Sequence, residues 1–388
     1  MPESGRSSSE AVRNSAPVVG HDRPLCVDLD GTLIATDLFV ETVLYHLRFR
    51  PLSLIAAPWW LVREGKAGLK RRLAKLAHID PATLPYRPVI LAFVKKERAK
   101  GRTLILATAS DELFARAVAE HLNVFDRVLS SDGKTNLKAG AKLLAIRAVC
   151  ADGFDYIGDS AADLPLLEAA THAYLVAPRQ AVRTRSESLN PTLHVFPTST
   201  AFNPRVILRM LRPERWARNL LLLVPAMIAH EGHNTRRLLD VGLGIVCFSL
   251  CTSSIFVARD ILNVQDDRHH PSKCQGPMAS CILSLSAGSW LFASLMLTAF
   301  LPAMLLLRGQ FVVILASHFV LGIVYSVYVR SRLLVAVIVL PGFYALRLMA
   351  GSAAASVEIP PWLLVSLSLL FLSLAFVERN TEELNEAR

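Results

Sequence analysis

Between Gln275 and Val357 the chain carries only four charged residues in 83, Arg308, Arg330, Arg332 and Arg347. A stretch so long and so poor in charge cannot wrap itself in a hydrated surface, whereas runs of about 20 apolar residues suit a bilayer. Charge is distributed unevenly: of 42 Lys and Arg only 16 lie beyond residue 200, with 11 of the 32 Asp and Glu. The 388 residues therefore read as two physical objects, one water-facing and one membrane-facing. This composition argues against disorder, a wholly soluble enzyme and a small disulfide scaffold.

A net charge of +10 is often the footprint of a nucleic-acid binder. Here the basic residues of the second half instead gather at the edges of apolar runs: Arg205, Arg209, Arg212, Arg215 and Arg218, then Arg268 and Lys273, then Arg330 and Arg332. That is the positive-inside pattern, so no nucleic-acid partner is expected. The six cysteines form no CxxC pair and read as small buried hydrophobes of a reducing compartment. Residues 1–23 are polar and Ser-rich without an apolar core, so no signal peptide is expected and the first domain stays cytoplasmic.

After this leader, Pro24–Val27 reads as a buried strand opening into Asp28-Leu29-Asp30-Gly31-Thr32. A turn there lets Asp28 and Asp30 converge in front of a sheet, where open α/β folds bind ligands. A second strand, Thr103–Ala107, ends in Thr108-Ala109-Ser110; Lys138 and Lys142 precede an amphipathic run; Phe154–Ile157 leads into Gly158-Asp159-Ser160-Ala161-Ala162-Asp163. Single Asp residues often merely cap helices, but capping does not explain two strand-end Asp pairs. A carboxylate attacks a phosphoryl group only where cations mask the charges of both, and acids beside one Lys supply that setting.

The motifs DxDGT, a strand ending in Thr or Ser, a Lys and GDSxxD, in this order, resemble the haloacid dehalogenase (HAD) superfamily of phosphotransferases. The resemblance implies a Rossmannoid α/β domain over 24–184, with Asp28 as nucleophile and Asp30 as general acid and base. It implies Thr108 on the phosphoryl oxygens, Lys142 (in preference to Lys138) neutralising them, and Mg²⁺ held by Asp28, Asp30, Asp159 and Asp163. Leu38–Arg50, Ser53–Arg63 and Pro88–Lys100 have helical spacing, and in the HAD pattern a helical cap at about 38–100 shields the site. Pro51–Leu61 is unusually apolar; Trp59 and Trp60 beside Arg63, Lys66, Lys70, Arg71 and Arg72 read either as a membrane-facing patch or as core packing.

Residues 185–204, rich in Ser, Thr, Asn and Pro, read as a linker. Apolar runs follow at about 216–232, 238–258, 279–303, 310–329, 333–355 and 361–377, predicting an all-α transmembrane bundle of six spans over 205–388 with both ends inside. After the second run, Asp260, Asn263 and Asp267 share one face at helical spacing, and oxygen ligands so placed suit Mg²⁺ and a diphosphate. Arg347, within an apolar run, should face the bundle interior and meet an anion or an acid such as Asp260. Cys247 and Cys251 read as helix packing, His269 and His270 as interfacial loop residues, and Gly351 with Ala353–Ala355 as small residues for close helix approach.

The Asp-rich loop through Arg268, His269, Pro271 and Lys273, with Arg215–Asn219, Tyr325-Ser326, Arg330, Phe343 and Arg347–Gly351, resembles the UbiA prenyltransferase superfamily, in its decaprenyl-phosphate phosphoribosyltransferase branch. Arg259 and Asn263 stand where that branch has Asn and an acid, and the bundle is shorter than its roughly nine spans. The resemblance implies substrate binding by Asp260, Asn263, Asp267, Lys273, Tyr325, Arg330 and Arg347, and Mg²⁺ on Asp260 and Asp267. It implies a multi-pass inner-membrane enzyme that acts on polyprenyl phosphate and phosphoribosyl diphosphate. The product would be a polyprenyl-phosphate pentose for glycosylation such as arabinosylation of a nodulation signal. Two alternatives stay open: a membrane-tethered phosphatase only, and an assembly subunit completing a partner membrane transferase.

Overall fold

The computed structural model describes residues 23–178, 180–196, 204–230, 233–326, 333–367, 369–370 and 372–373. The chain opens with β1 (Leu25–Val27), then α1 (Leu38–Phe49), a 3-10 helix at Pro51–Ala56, α2 (Ala57–Leu76) and α3 (Pro88–Ala99). Strands and helices then alternate: β2 (Leu104–Asp111), α4 (Glu112–Leu122), β3 (Arg127–Ser131), α5 (Gly140–Val149), β4 (Asp155–Gly158), α6 (Leu164–Ala169), β5 (Ala173–Val176), α7 (Gln180–Leu189) and β6 (His194–Phe196).

The six strands form one parallel sheet in the order β3-β2-β1-β4-β5-β6. β1 is central and wholly buried, which is why its sequence, Leu-Cys-Val, shows no polar alternation. Leu25 and Val27 face one apolar cluster with Leu106, Ile157 and Val94, while Cys26 faces the other with Ile105, Tyr156 and Leu166. The strand order reverses between β1 and β4, where Val27 pairs with Ile157. Both chains therefore leave the sheet side by side, at the crevice where doubly wound sheets bind ligands.

The linker expected from residue 185 does not begin there. Residues 180–189 are helical, and β6 pairs with β5 and seats Phe196 in the core. Three apolar-capable residues, His194–Phe196, suffice for an edge strand once β5 offers its free edge, and the polar surroundings hide them from a composition count. The expected helices before β2 are α1, α2 and α3, with α2 bent at Gly65. Leu52, Ile55, Trp59 and Val62 are all exposed, and Arg63 and Arg72 lie over the rings of Trp59 and Trp60. Core packing, one of the two readings of this segment, does not hold.

Beyond residue 203 come α8 (Pro204–Leu211), a 3-10 helix at Pro213–Leu223, α9 (Val224–Ile228), α10 (Thr235–Leu262), α11 (Val264–His269), α12 (Leu285–Leu306), α13 (Gly309–Val324) and α14 (Leu333–Ala355). The first expected span is not one α-helix: Pro213 follows a left-handed Arg212, and Pro225 opens the short α9. Among the described residues, α10 and α12 are long and apolar enough to cross a membrane, and α13 is a shorter apolar helix. Residues 327–332 and 374–388 lie outside the described residues. The bundle core joins Cys247, Phe248, Cys251, Phe311, Ala350 and Ala354. At Gly351 a Cβ would lie 2.2 Å from the Leu222 carbonyl oxygen, so that crossing admits only glycine.

The halves meet through α1 and α11. Glu41, fully buried, accepts hydrogen bonds from Arg268 Nη2 (2.8 Å), Gln265 Nε2 (3.2 Å) and Thr36 Oγ1 (2.8 Å), and Arg48 pairs with Asp266.

Candidate functional site

β1 ends at Val27, and the next residue, Asp28, is buried at the carboxyl edge of the sheet. Lys142, from the first turn of α5, donates from Nζ to Asp28 Oδ1 at 2.8 Å and reaches Asp163 Oδ1 at 3.4 Å. Tyr156, one strand away on β4, accepts from Lys142 Nζ at 3.1 Å and donates to Asp163 Oδ1 at 2.8 Å. Of the two candidate lysines, Lys142 is thus bonded to the acids, while Lys138 lines the cavity beside them. Asp163 is also anchored by the Ser160 amide and hydroxyl, at 3.2 and 2.7 Å.

Asp28, Asp159 and Asp163 present carboxylate oxygens that all lie within 4.8 Å of one another. Packing acids so closely out of water is unfavourable for the charged forms. Burial pushes the Asp28 carboxyl well above its ordinary value, although Lys142 opposes the rise. Burial and then Asp163 push Asp159 up to about 7. Burial alone would lower the Lys142 ammonium, but Asp28 and Asp163 hold it above its ordinary value. A desolvated carboxylate trio of this kind fits a hard divalent cation, which would relieve the repulsion that Lys142, and Arg87 near Asp159, offset in part. Gly31 makes the approach possible: its φ is +76°, and a Cβ there would fall 2.2 Å from Asp159 Oδ2.

Asp30 lines the same cavity, with its carboxylate held by other partners. Its Oδ1 accepts from the Leu38 amide at 2.9 Å, and Oδ2 accepts from the Ser110 hydroxyl and, at 3.4 Å, from Thr108. Its carboxylate is outside the trio, so it is not positioned as a metal ligand; burial and then Asp37 raise it to about 6. Thr108 is fully buried and does not line the cavity. Ser110, at the strand end quoted from the sequence, bonds the same Asp30 oxygen, whereas Tyr156, Lys70 and Arg87 belong to none of the motifs. Lys70 donates to Ala109 O (2.8 Å) and Arg87 to Gly31 O (3.0 Å), and both line the cavity. Lys70 stood in a basic run in the sequence; Arg87 has no sequence signal.

The cavity, about 900 Å³, is not closed by the α/β half alone. Ser284, Leu285, Ser286, Ser289 and Trp290, at the start of α12, line it opposite Asp28 and Asp159.

A second cavity of about 790 Å³ lies at the mouth of the bundle. The structure brings Asp260, Asn263, Asp267, Lys273 and Ser326 to its wall, across the break between α10 and α11 at Asn263. Asp260 is not available as expected: Arg212 Nη2 donates to its Oδ2 at 2.8 Å, and Arg259 Nη2 to its Oδ1 at 2.7 Å. Asp260 and Asp267 belong to no metal-competent cluster among the described residues. Of the two guanidinium groups on Asp260, Arg259 is its neighbour in the chain, and Arg212 is delivered by folding from 48 residues away. Arg347 is buried as expected but does not meet Asp260; it donates to Asn219 Oδ1 (3.0 Å) and Phe343 O (2.9 Å). Tyr325 packs edge-on against Phe343, and Arg330 lies outside the described residues. His269 and His270 are exposed, but His269 ends helix α11 rather than lying in a loop, and His270 caps it.

Comparison with known proteins follows the same division. Residues 25–168 match the haloacid dehalogenase-like hydrolase family and residues 220–383 the UbiA prenyltransferase family. The chain is 31% identical to y4nM of Sinorhizobium fredii over 360 residues, covering 92% of this chain and 69% of that protein. It is 33% identical to the nodulation protein NoeC of Azorhizobium caulinodans over 173 residues, 44% of this chain and 55% of NoeC. It is 25% identical to the decaprenyl-phosphate phosphoribosyltransferase of Corynebacterium glutamicum over 185 residues, 47% of this chain and 56% of that enzyme. The chain thus spans about half the length of these last two relatives. It belongs to the family in which a haloacid dehalogenase-like hydrolase domain is joined to a UbiA prenyltransferase-family domain.

Proposed function

We propose that this protein makes a polyprenyl-phosphate pentose, and that its α/β half is a Mg²⁺-dependent phosphatase removing the 5-phosphate from the lipid-linked sugar. One observation carries the reading: a phosphatase-type acid cluster opens into a cavity whose far wall is the start of an apolar, membrane-length helix. A site so walled suits a phosphate held at a bilayer surface, and tethering the phosphatase to the lipid phase raises its effective concentration there.

Asp28 attacks phosphorus as the ester P–O bond breaks, and the leaving oxygen takes the proton held by Asp30. Water then attacks the acyl-phosphate, giving a proton to Asp30, and the bond to Asp28 breaks to release inorganic phosphate. Lys142 stands at the oxygen of Asp28 where it neutralises incoming phosphoryl charge. Asp28, Asp159 and Asp163 would hold Mg²⁺, which when bound offsets the charge of phosphate and acids.

The UbiA half would supply the substrate by joining the phosphate of a polyprenyl phosphate to C1 of phosphoribosyl diphosphate, with loss of diphosphate, in an inner membrane with the α/β half on the cytoplasmic side. NoeC, named as a nodulation protein, supports a destination in glycosylation of a nodulation signal. The tethered-phosphatase alternative is favoured by one observation, the capture of Asp260 by two guanidinium groups. Membranes carrying the protein, given labelled phosphoribosyl diphosphate and polyprenyl phosphate, test both. Label entering lipid without its 5-phosphate supports the full reading. Asp28→Asn should lower phosphate release by several orders of magnitude while labelled lipid keeps its 5-phosphate. Undiminished release in that variant overturns the phosphatase assignment, and label that never enters lipid leaves the tether.

A further inference from the structure

The second cavity is lined by six cationic side chains, Arg48, Arg209, Arg212, Arg215, Arg259 and Lys273, against four acids, Glu214, Asp260, Asp266 and Asp267. Two of the acids are already spent: Arg48 pairs with Asp266, and Asp260 is shared by Arg212 and Arg259. The guanidinium groups of Arg212, Arg259 and Arg215 lie 5.1, 5.6 and 5.9 Å from the centroid of one ring, Phe256. Three like charges gathered on a single phenyl with one carboxylate between them leave a local positive excess in a partly dry pocket. A small polyanion relieves that excess; a second cation adds to it. The acids left for a metal are two, Glu214 and Asp267, with the neutral Asn263, against six cations, while planar guanidinium forks match phosphate oxygens two at a time.

We infer that this cavity binds a phosphate ester or diphosphate directly through Arg212 and Arg259, held by Asp260, with Arg209, Arg215 and Lys273 at the rim and no divalent cation bridging. The inference rests on the reading that the UbiA half handles a phosphorylated substrate, and it changes how that substrate is gripped: guanidinium forks in place of a metal-bridged acid cluster. The phosphate comes either from a lipid headgroup or from a free diphosphate, and both present the same chemistry to the forks.

The test uses the full chain in detergent micelles, with labelled inorganic pyrophosphate as the probe and EDTA throughout. Binding should persist in EDTA and weaken by roughly tenfold or more in Arg259→Gln, the loss of one bidentate charge-assisted contact. Because Arg259 also anchors Asp260, the exposed pair Arg209→Gln and Arg215→Gln provides a second variant whose side chains form no ion pair among the described residues; it should weaken binding severalfold without changing the fold. Displacement by farnesyl phosphate but not by farnesol would assign the lipid headgroup as source. Displacement only by phosphoribosyl diphosphate would assign the free diphosphate. Binding that needs Mg²⁺, or that is unchanged in both variants, overturns the inference. Failure of sugar transfer leaves this binding result standing, so the two readings fail separately.

Discussion

Gly31 and Asp159 show how much of the candidate chemistry depends on single atoms. With φ at +76° and no room for a Cβ beside Asp159, Gly31→Ala should displace the Asp159 carboxylate and reduce Mg²⁺-dependent hydrolysis at least tenfold; unchanged kinetics would mean that the turn yields. Asp159 also predicts a pH dependence. Its carboxyl sits at about 7 in the fold against about 4 in an unfolded chain. The cation-free folded state therefore binds a proton that the unfolded chain has released, and stability falls as pH rises from about 4 to about 7. In EDTA the thermal midpoint should drop between about pH 5 and about pH 8, Mg²⁺ should restore it, and Asp159→Asn should shrink both effects. A midpoint indifferent to pH and Mg²⁺ would argue that the trio holds no cation. Asp28 and Asp159 were legible because their motifs are local in sequence. The bond of Ser110 to Asp30, 80 residues away, was not, because it forms across the sheet; Tyr156 lies only seven residues before Asp163 but belongs to no motif.

At the scale of elements, the fit of α14 against the 3-10 helix Pro213–Leu223 hinges on Gly351. Gly351→Leu should cost at least about 1–3 kcal/mol through overpacking against the Leu222 backbone, seen as a lower thermal midpoint and faster amide exchange along α14. By contrast Ile55→Glu and Val62→Glu, on the exposed face of the Pro51–Ala56 helix and α2, should change stability by no more than about 0.5 kcal/mol; a larger loss would place that face in a core. Apolar residues at helical spacing marked both segments correctly as helices. Periodicity says which residues share a face, though not what covers it, and here nothing among the described residues of the α/β half does. β6 was lost for the opposite reason: three residues are too few to show a period.

At the scale of the molecule, the buried ion pair of Glu41 and Arg268 joins the halves. Removing one partner strands the other charge out of water, so Arg268→Met should weaken docking by about 3–5 kcal/mol. Hydrogen exchange should rise in α1 and α11 while the central strands β1 and β4 stay protected. If the cavity shared with α12 serves a lipid-linked phosphate, hydrolysis of that substrate should fall more than hydrolysis of a small soluble phosphomonoester. Equal losses on both would make the junction a matter of stability alone.

Two halves of opposite solvent preference, a buried strand before each Asp pair and the helical insertion after the first were determined by local order and hydrophobic pattern. These depend on neighbours in the chain and on the exclusion of apolar surface from water. Tertiary structure alone decided that Lys142 bonds Asp28, that α12 completes the acid-lined cavity, and that Arg212 joins Arg259 on Asp260. Charges pair through space, and the distance that sets the strength of each contact exists only once separate elements have packed.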